Sequence, residues 1–327
     1  MQKYHKAGKW VHRGMQIIEE TTEFVLQDRS AVAIGKFDGV HLGHRKLIFQ
    51  LLEQKRRGLL ATVFTFDTSA AAFFNGEEKE LTTKAEKRRI FEEMGIDVLI
   101  EFPLNRETAA TDPEEFVRRY LAEQMRAAYV CAGPDVSFGK NGAGDYALLE
   151  RYAPQYGYHT ELIDKVRLAG GEEISSTAIR EAVRRGDMEL VRGMLGKAYS
   201  VSGRVEHGSQ FGRSMGMPTA NLIPEADKLL PPSGVYYSKV VIGGEGREYR
   251  GISNVGCKPT VSAAGRIGIE TYLYDFEGDL YGKDITVMLL AFRRPERKFE
   301  DADALRRQME TDIAAGREFV MGTCQHT

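Results

Sequence analysis

Only three cysteines occur in 327 residues, Cys131, Cys257 and Cys324, and none belongs to a C-x-x-C pair. That scarcity excludes a disulfide framework or a cysteine-built metal cluster as the organising principle, and it points to a reducing compartment. Long apolar runs are missing too, so no segment is expected to cross a bilayer. Residues 1–13 are polar and basic with no apolar stretch, which argues against a secretory signal. An excess of one charge is likewise absent. The 45 basic and 47 acidic residues leave a net charge of −2, which gives no general footprint for nucleic acid or an anionic membrane. The expectation is a cytoplasmic metabolic enzyme, and 327 residues suffice for two domains with separate cores.

What is present begins with Ile34-Gly-Lys-Phe-Asp-Gly-Val-His-Leu-Gly-His44. Ala31–Ile34 reads as a buried strand, and Leu47, Ile48, Leu51 and Leu52 recur at helical spacing up to Gly58. Two histidines, an aspartate and glycines 35, 39 and 43 therefore sit where a strand turns into a helix. In an open α/β sheet ligands bind at that edge, and a helix N-terminus there suits a phosphate. Further strands are expected at 59–66, 96–102, 128–132 and 158–164, alternating with helices that begin near Thr83 and Thr111. This predicts a doubly wound parallel sheet. Asp67 ends the second strand. The loop Gly133–Gly139 follows the fourth, and an aspartate such as Asp135 is by itself an ordinary turn residue. Ile174-Ser-Ser-Thr-Ala-Ile-Arg180 then opens another helix. One hydroxyl there is an N-cap, but three with an arginine form a dense donor set.

After a short helix ended by Gly196, the pattern changes to β runs at 199–206, 234–242, 248–255, 267–275 and 283–290, and an amphipathic helix closes the chain near 300–320. This predicts a small antiparallel barrel carrying a C-terminal helix. Its glycine-rich stretch, with Gly203, Gly208, Gly212 and Gly216, is neither a Walker A loop nor a dinucleotide fingerprint. Pro218-Thr-Ala-Asn221 follows it directly.

His41-Leu-Gly-His44 resembles the His-x-Gly-His signature of nucleotidyltransferases, and 174–180 resembles the Ile-Ser-Ser-Thr-x-x-Arg element of one branch. Pro218–Asn221 resembles the Pro-Thr-Ala-Asn signature of riboflavin kinases. Gly251–Thr260, Ile269–Gly282 and the set Arg293, Glu296 and Phe299 continue that match. In this order, over about 31–320, the chain is similar to prokaryotic bifunctional riboflavin kinase/FAD synthetases.

The resemblance implies phosphorylation of riboflavin to FMN by Mg-ATP and adenylylation of FMN to FAD, with no tightly bound redox cofactor. It implies Glu270 as general base and Thr219 and Asn221 as Mg2+ ligands, with Gly203, Gly208, Gly212 and Gly216 around the phosphates. In the first half it implies His41 and His44 as catalytic groups, and Gly35, Phe37, Asp38, Ser175, Ser176, Thr177 and Arg180 around ATP. The flavin would meet Asp67, Asp135, Phe138 and Arg293. The expected organisation is a peripheral segment 1–30, an adenylyltransferase domain 31–186, a linker helix 187–198 and a kinase domain 199–327.

Two loops depart from the family's pattern. Thr68-Ser69-Ala70 lacks the usual Pro-x-Pro, and Val136-Ser137 stands where Phe and Arg are common. The departures motivate two alternatives: a kinase whose first domain is impaired, and a flavin-binding regulator without turnover.

Overall fold

The computed structural model describes residues 14–68, 73, 79–207, 216–243, 246–257 and 267–320. The chain packs as two units that interleave in sequence. One comprises Met1–Phe37, His44–Gly76 and Lys87–Asp164, and the other Asp38–Gly43, Glu77–Glu86 and Lys165–Thr327.

The first unit holds a parallel sheet of β1 (Gln16–Glu19), β2 (Ser30–Ile34), β3 (Leu60–Phe66), β4 (Val98–Phe102), β5 (Ala127–Ala132) and β6 (His159–Leu162), in the order β1-β4-β3-β2-β5-β6. The continuous apolar runs explain this: every residue of β2 and β4 is buried, as befits a parallel sheet covered on both faces. Chain order reverses between β2 and β5, so the loops after these strands leave at the topological switch point. β1 lies within the stretch expected to be peripheral. Its four largely exposed residues pair in parallel with Val98–Glu101, an edge strand too short and polar for periodicity to reveal. α1 (Leu42–Lys55) follows the switch-point loop, and α2 (Lys84–Met94) leads to β4. α3 (Pro113–Glu115) is capped by Asp112 and runs on as a π-helical stretch, Phe116–Gln124; α4 (Tyr146–Tyr156) is capped by Asp145.

In the second unit β7 (Tyr199–Glu206), β8 (Ala220–Leu222), β9 (Gly234–Ile242), β10 (Glu248–Cys257), β11 (Ile267–Leu273) and β12 (Asp284–Pro295) close an antiparallel barrel in the order β10-β11-β8-β7-β12-β9. Val201, Val205, Leu222, Val240, Val255, Ile269 and Val287 fill it. The expected linker is a core element instead. α5 (Ser176–Arg185) and α6 (Met188–Leu195) bury Ile179, Val183, Met188, Val191, Met194 and Leu195 in the barrel's own cluster. Residues 165–186 thus belong with the barrel rather than with the sheet.

The closing helix α7 (Ala302–Glu318) is tied down by Asp312, only 4% exposed. Arg293 Nε donates to Asp312 Oδ1 at 2.8 Å, Arg294 Nη2 to Oδ2 at 2.6 Å, and Gln308 Nε2 to Oδ1 at 2.9 Å. Consecutive strand residues normally face opposite ways. A register shift between Phe292 and Arg294 lets both arginines reach one carboxylate. Burial alone would raise the Asp312 carboxyl, but the three donors hold it below its ordinary 3.8. The stability it contributes is therefore complete above that value and is lost as pH falls through the lower folded one. Asp312→Ala leaves two half-buried guanidinium groups without this acceptor. It is expected to cost about 2–3 kcal/mol in denaturant unfolding; a cost below about 0.5 kcal/mol, as for an ordinary surface change, would remove Asp312 as the anchor.

Candidate functional site

Between β2 and α1 the backbone is strained. Phe37, Gly39 and Val40 have φ values of 51°, 83° and 43°. Left-handed φ at a bulky or β-branched residue costs on the order of 1–3 kcal/mol, so the surroundings must enforce it. Phe37 is fully buried, edge-on to Phe91 at 5.5 Å and tilted against His44 at 5.0 Å. Its ring is therefore a support for the turn, not a wall of a ligand pocket. The Asp38 carboxylate accepts from Leu81 N at 2.8 Å, Thr82 N at 3.2 Å and Arg180 Nη2 at 2.7 Å. Gly39 N donates to Thr82 Oγ1 at 3.1 Å, and Ser176 Oγ donates to the Asp38 carbonyl at 2.9 Å. Asp38 is thus the hub of the loop.

His41 precedes α1 and is 7% exposed. Its ring folds back over Gly43: a Cβ there would lie 3.1 Å from both His41 Nδ1 and Cε1. This accounts for the glycine in the His-x-Gly-His spacing, since any side chain would displace the imidazole. Burial pulls the His41 pKa down to about 4, so the ring is neutral at pH 7 and any proton it offers is that of a neutral N–H. Gly35 is packed by its neighbour's ring as well, 3.2 Å from Phe37 Cε2 to a built Cβ.

The three hydroxyls of 175–177 divide their work. Ser175 is the N-cap of α5, accepting from Ala178 N at 3.2 Å. Ser176 and Arg180 engage Asp38, while Thr177 is exposed at the helix N-terminus. Sequence reasoning passed over Arg45. On the first turn of α1, its Nε is buried without an acceptor, no described carboxylate pairs with it, and burial lowers its pKa. A guanidinium so placed suits an anionic ligand.

The residues expected at the flavin in the first unit fall on two segments, one after β3 and one after β5. Asp67 is exposed at the end of β3, where its Oδ1 accepts from Leu104 N at 2.9 Å. Asp135 is exposed in the turn after β5. Phe138 is 2% exposed, its ring 4.9 Å from that of Phe116, so it belongs to the core.

In the barrel, strand register assembles a row that spacing could not reveal. Glu206 on β7 lies opposite Asn221 on β8, which lies opposite Glu270 on β11, which lies opposite Asn254 on β10. The adjacent row, Val205–Leu222–Ile269–Val255, fills the interior, so by alternation the polar row faces outward. Asn221 is 5% exposed and Glu270 half-buried. Asn254 Nδ2 donates to Glu296 Oε1 at 2.9 Å, which brings Glu296 to the end of the row. Thr219 precedes β8 by one residue and is half-buried.

Gly203 sits in β7 against β8, 3.2 Å from Ile223 O to a built Cβ, and Gly216 is exposed with φ +75°. Gly208 and Gly212 lie outside the described residues. Arg293, expected at the flavin, is held by Asp312 and by Tyr237 Oη at 2.7 Å. No group of three or more His, Cys, Asp or Glu among the described residues could hold a metal. The oxygens of Thr219 and Asn221 nevertheless fit Mg2+, which takes few protein ligands and completes its shell with substrate phosphates and water.

Residues 24–178 match the family model described as FAD synthetase, and residues 195–320 the one described as riboflavin kinase. A bifunctional riboflavin kinase/FMN adenylyltransferase of Escherichia coli K12 is 35% identical over 90% of this chain and 93% of its own length. One from Listeria monocytogenes is 33% identical over 91% and 95%. A crystal structure described as a macrolide-efflux protein from Streptococcus pneumoniae aligns with a TM-score of 0.81 at 28% identity, covering 94% of this chain and 99% of that one.

Proposed function

Because the chain belongs to the bifunctional riboflavin kinase/FMN adenylyltransferases, we propose how its residues divide two ATP-dependent steps between them. It phosphorylates riboflavin to FMN and adenylylates FMN to FAD. In the barrel, Glu270 accepts the proton of the riboflavin 5′-hydroxyl as that oxygen bonds to the γ-phosphorus of ATP and ADP departs. Asn221 and Thr219 would hold Mg2+, which would neutralise charge on the phosphates. Asn254, with Glu296 behind it, steadies Glu270 from the other side. The observation that carries this step is the Asn221–Glu270–Asn254 register row.

In the adenylyl step the FMN phosphate oxygen bonds to the α-phosphorus of a second ATP and pyrophosphate leaves. No side chain becomes covalently attached, so the work is positioning and charge stabilisation. Neutral His41 donates an N–H and the α5 N-terminus bearing Thr177 supplies further donors to phosphate, while His44 and Arg45 follow along the chain on the first turn of α1. Asp38 and Arg180 hold the loop instead of the ligand. No helix among the described residues is long and apolar enough to cross a membrane.

Labelled ATP tests this division. Label in the γ-phosphate should appear in FMN and persist into FAD, while label in the α-phosphate should appear in FAD alone. Label from the α-phosphate in FMN, or none from the γ-phosphate in FMN, would refute it.

A further inference from the structure

A short strap, residues 79–86, runs through the second unit and joins the stretch before β9 to the His41 loop. On one side it is stitched to the stretch before β9. Glu80 N donates to Asp227 O at 2.6 Å, and Leu229 N to Glu80 O at 2.8 Å. There Lys228 is 4% exposed. Its Nζ donates to Glu86 Oε2 and to Leu81 O, each at 2.6 Å, and lies 4.5 Å from the centre of the Tyr199 ring. The other Glu86 oxygen accepts from Ser202 N in β7 at 2.9 Å. On its far side the strap donates Leu81 N and Thr82 N to Asp38, the hub of the His41 loop. Leu81 thus connects Lys228, through its carbonyl, with Asp38, through its amide.

A buried ion pair is a poor source of net stability, because desolvation offsets most of the attraction; apolar side chains of the same volume often stabilise as well. What an ammonium group adds is direction. Its three N–H donors can fix a carbonyl and a carboxylate at once, which no apolar residue can do. Lys228 lies in the stretch matching riboflavin kinase, whereas Glu86, Leu81 and Asp38 lie in the stretch matching FAD synthetase.

We infer that Lys228 and Glu86 are positioning residues for the adenylyl-transfer step, holding the strap in the register that orients Asp38 and therefore His41. The inference rests on the assignment of the His41 loop to FAD formation. Neither residue touches the Asn221–Glu270–Asn254 row in strand register or by hydrogen bond, so FMN formation should not need them.

The test uses the full-length chain with both reactions measured separately: riboflavin to FMN, and supplied FMN to FAD. Lys228→Met leaves the Glu86 carboxylate buried without its counter-ion and threatens folding. Lys228→Met/Glu86→Gln removes both charges and serves as the second variant, with Lys228→Arg as the conservative one. In the double variant FAD formation should fall at least about tenfold in kcat/KM, with FMN formation within about twofold of wild type. Hydrogen exchange at the Leu81 and Thr82 amides should speed up, and Lys228→Arg should recover most of the FAD rate. Equal loss of both reactions would make the pair merely structural and overturn the inference, as would an unchanged FAD rate. Absence of FAD from the wild-type chain run alongside would instead overturn the assignment on which the inference rests.

Discussion

Glu270→Gln is expected to lower the rate of FMN formation from riboflavin by about two to four orders of magnitude. FAD formation from supplied FMN should stay within about twofold of wild type. Glutamine keeps the shape and the hydrogen-bonding capacity of the residue but cannot accept a proton at neutral pH. Glu270 is half-buried on the outward row of β11, away from the Val205–Leu222–Ile269–Val255 layer, so the substitution leaves the core intact. Asn221 and Asn254 remain on either side, and riboflavin should still bind. Steady-state rates with riboflavin and Mg-ATP, together with a flavin binding titration, measure both. An unchanged rate would take the role of base away from Glu270.

His41→Ala should give the reciprocal result, a loss of about 10²–10³ in FAD formation with FMN formation retained. The imidazole is held over Gly43 and kept neutral by burial, so the contribution proposed for it is a hydrogen bond aimed at developing phosphate charge. The pH dependence follows from that. FAD formation should show no acid limb near the ordinary histidine value of 6.5, and the imidazole limb should move toward about 4. Stability carries the same sign. Between 6.5 and about 4 the unfolded chain binds a proton that the folded chain refuses. Stability from this group is therefore complete above that window and declines as pH falls through it, by up to about 3 kcal/mol. A rate that fell with an apparent pKa of 6.5 would mean that the ring works as a solvated, titrating base.

Much of this was legible in the chain itself, for identifiable reasons. Strands β2 to β5 are short apolar runs bounded by turns, and alternation announced β7, β9, β10, β11 and β12. β8 was hidden, because three residues, two of them inside Pro218–Asn221, are too few to show a period. α6 read as a linker because its short span resembles a tether, yet its apolar face completes the barrel's core.

Within the candidate site the residue types were visible but their partners were not. Ser175, Ser176 and Thr177 look equivalent in sequence; only the fold gives the first to a cap and the second to Asp38. Phe37 and Phe138 sit inside motifs, but a phenylalanine there can face a ligand or a core, and both face the core. Lys228 and Glu86 were invisible, since a lysine and a glutamate 142 positions apart read as solvated charges. Register had the same effect in the barrel: nothing in the spacing of Asn221, Asn254 and Glu270 announces that they share one row.

The most direct test feeds the two variants crosswise, Glu270→Gln and His41→Ala each given riboflavin or FMN with excess Mg-ATP, and separates the flavins by chromatography. Glu270→Gln should convert FMN to FAD and leave riboflavin almost untouched, while His41→Ala should convert riboflavin and accumulate FMN. If either variant lost both reactions, or neither, two chemistries carried by separate residue sets in one chain would be contradicted.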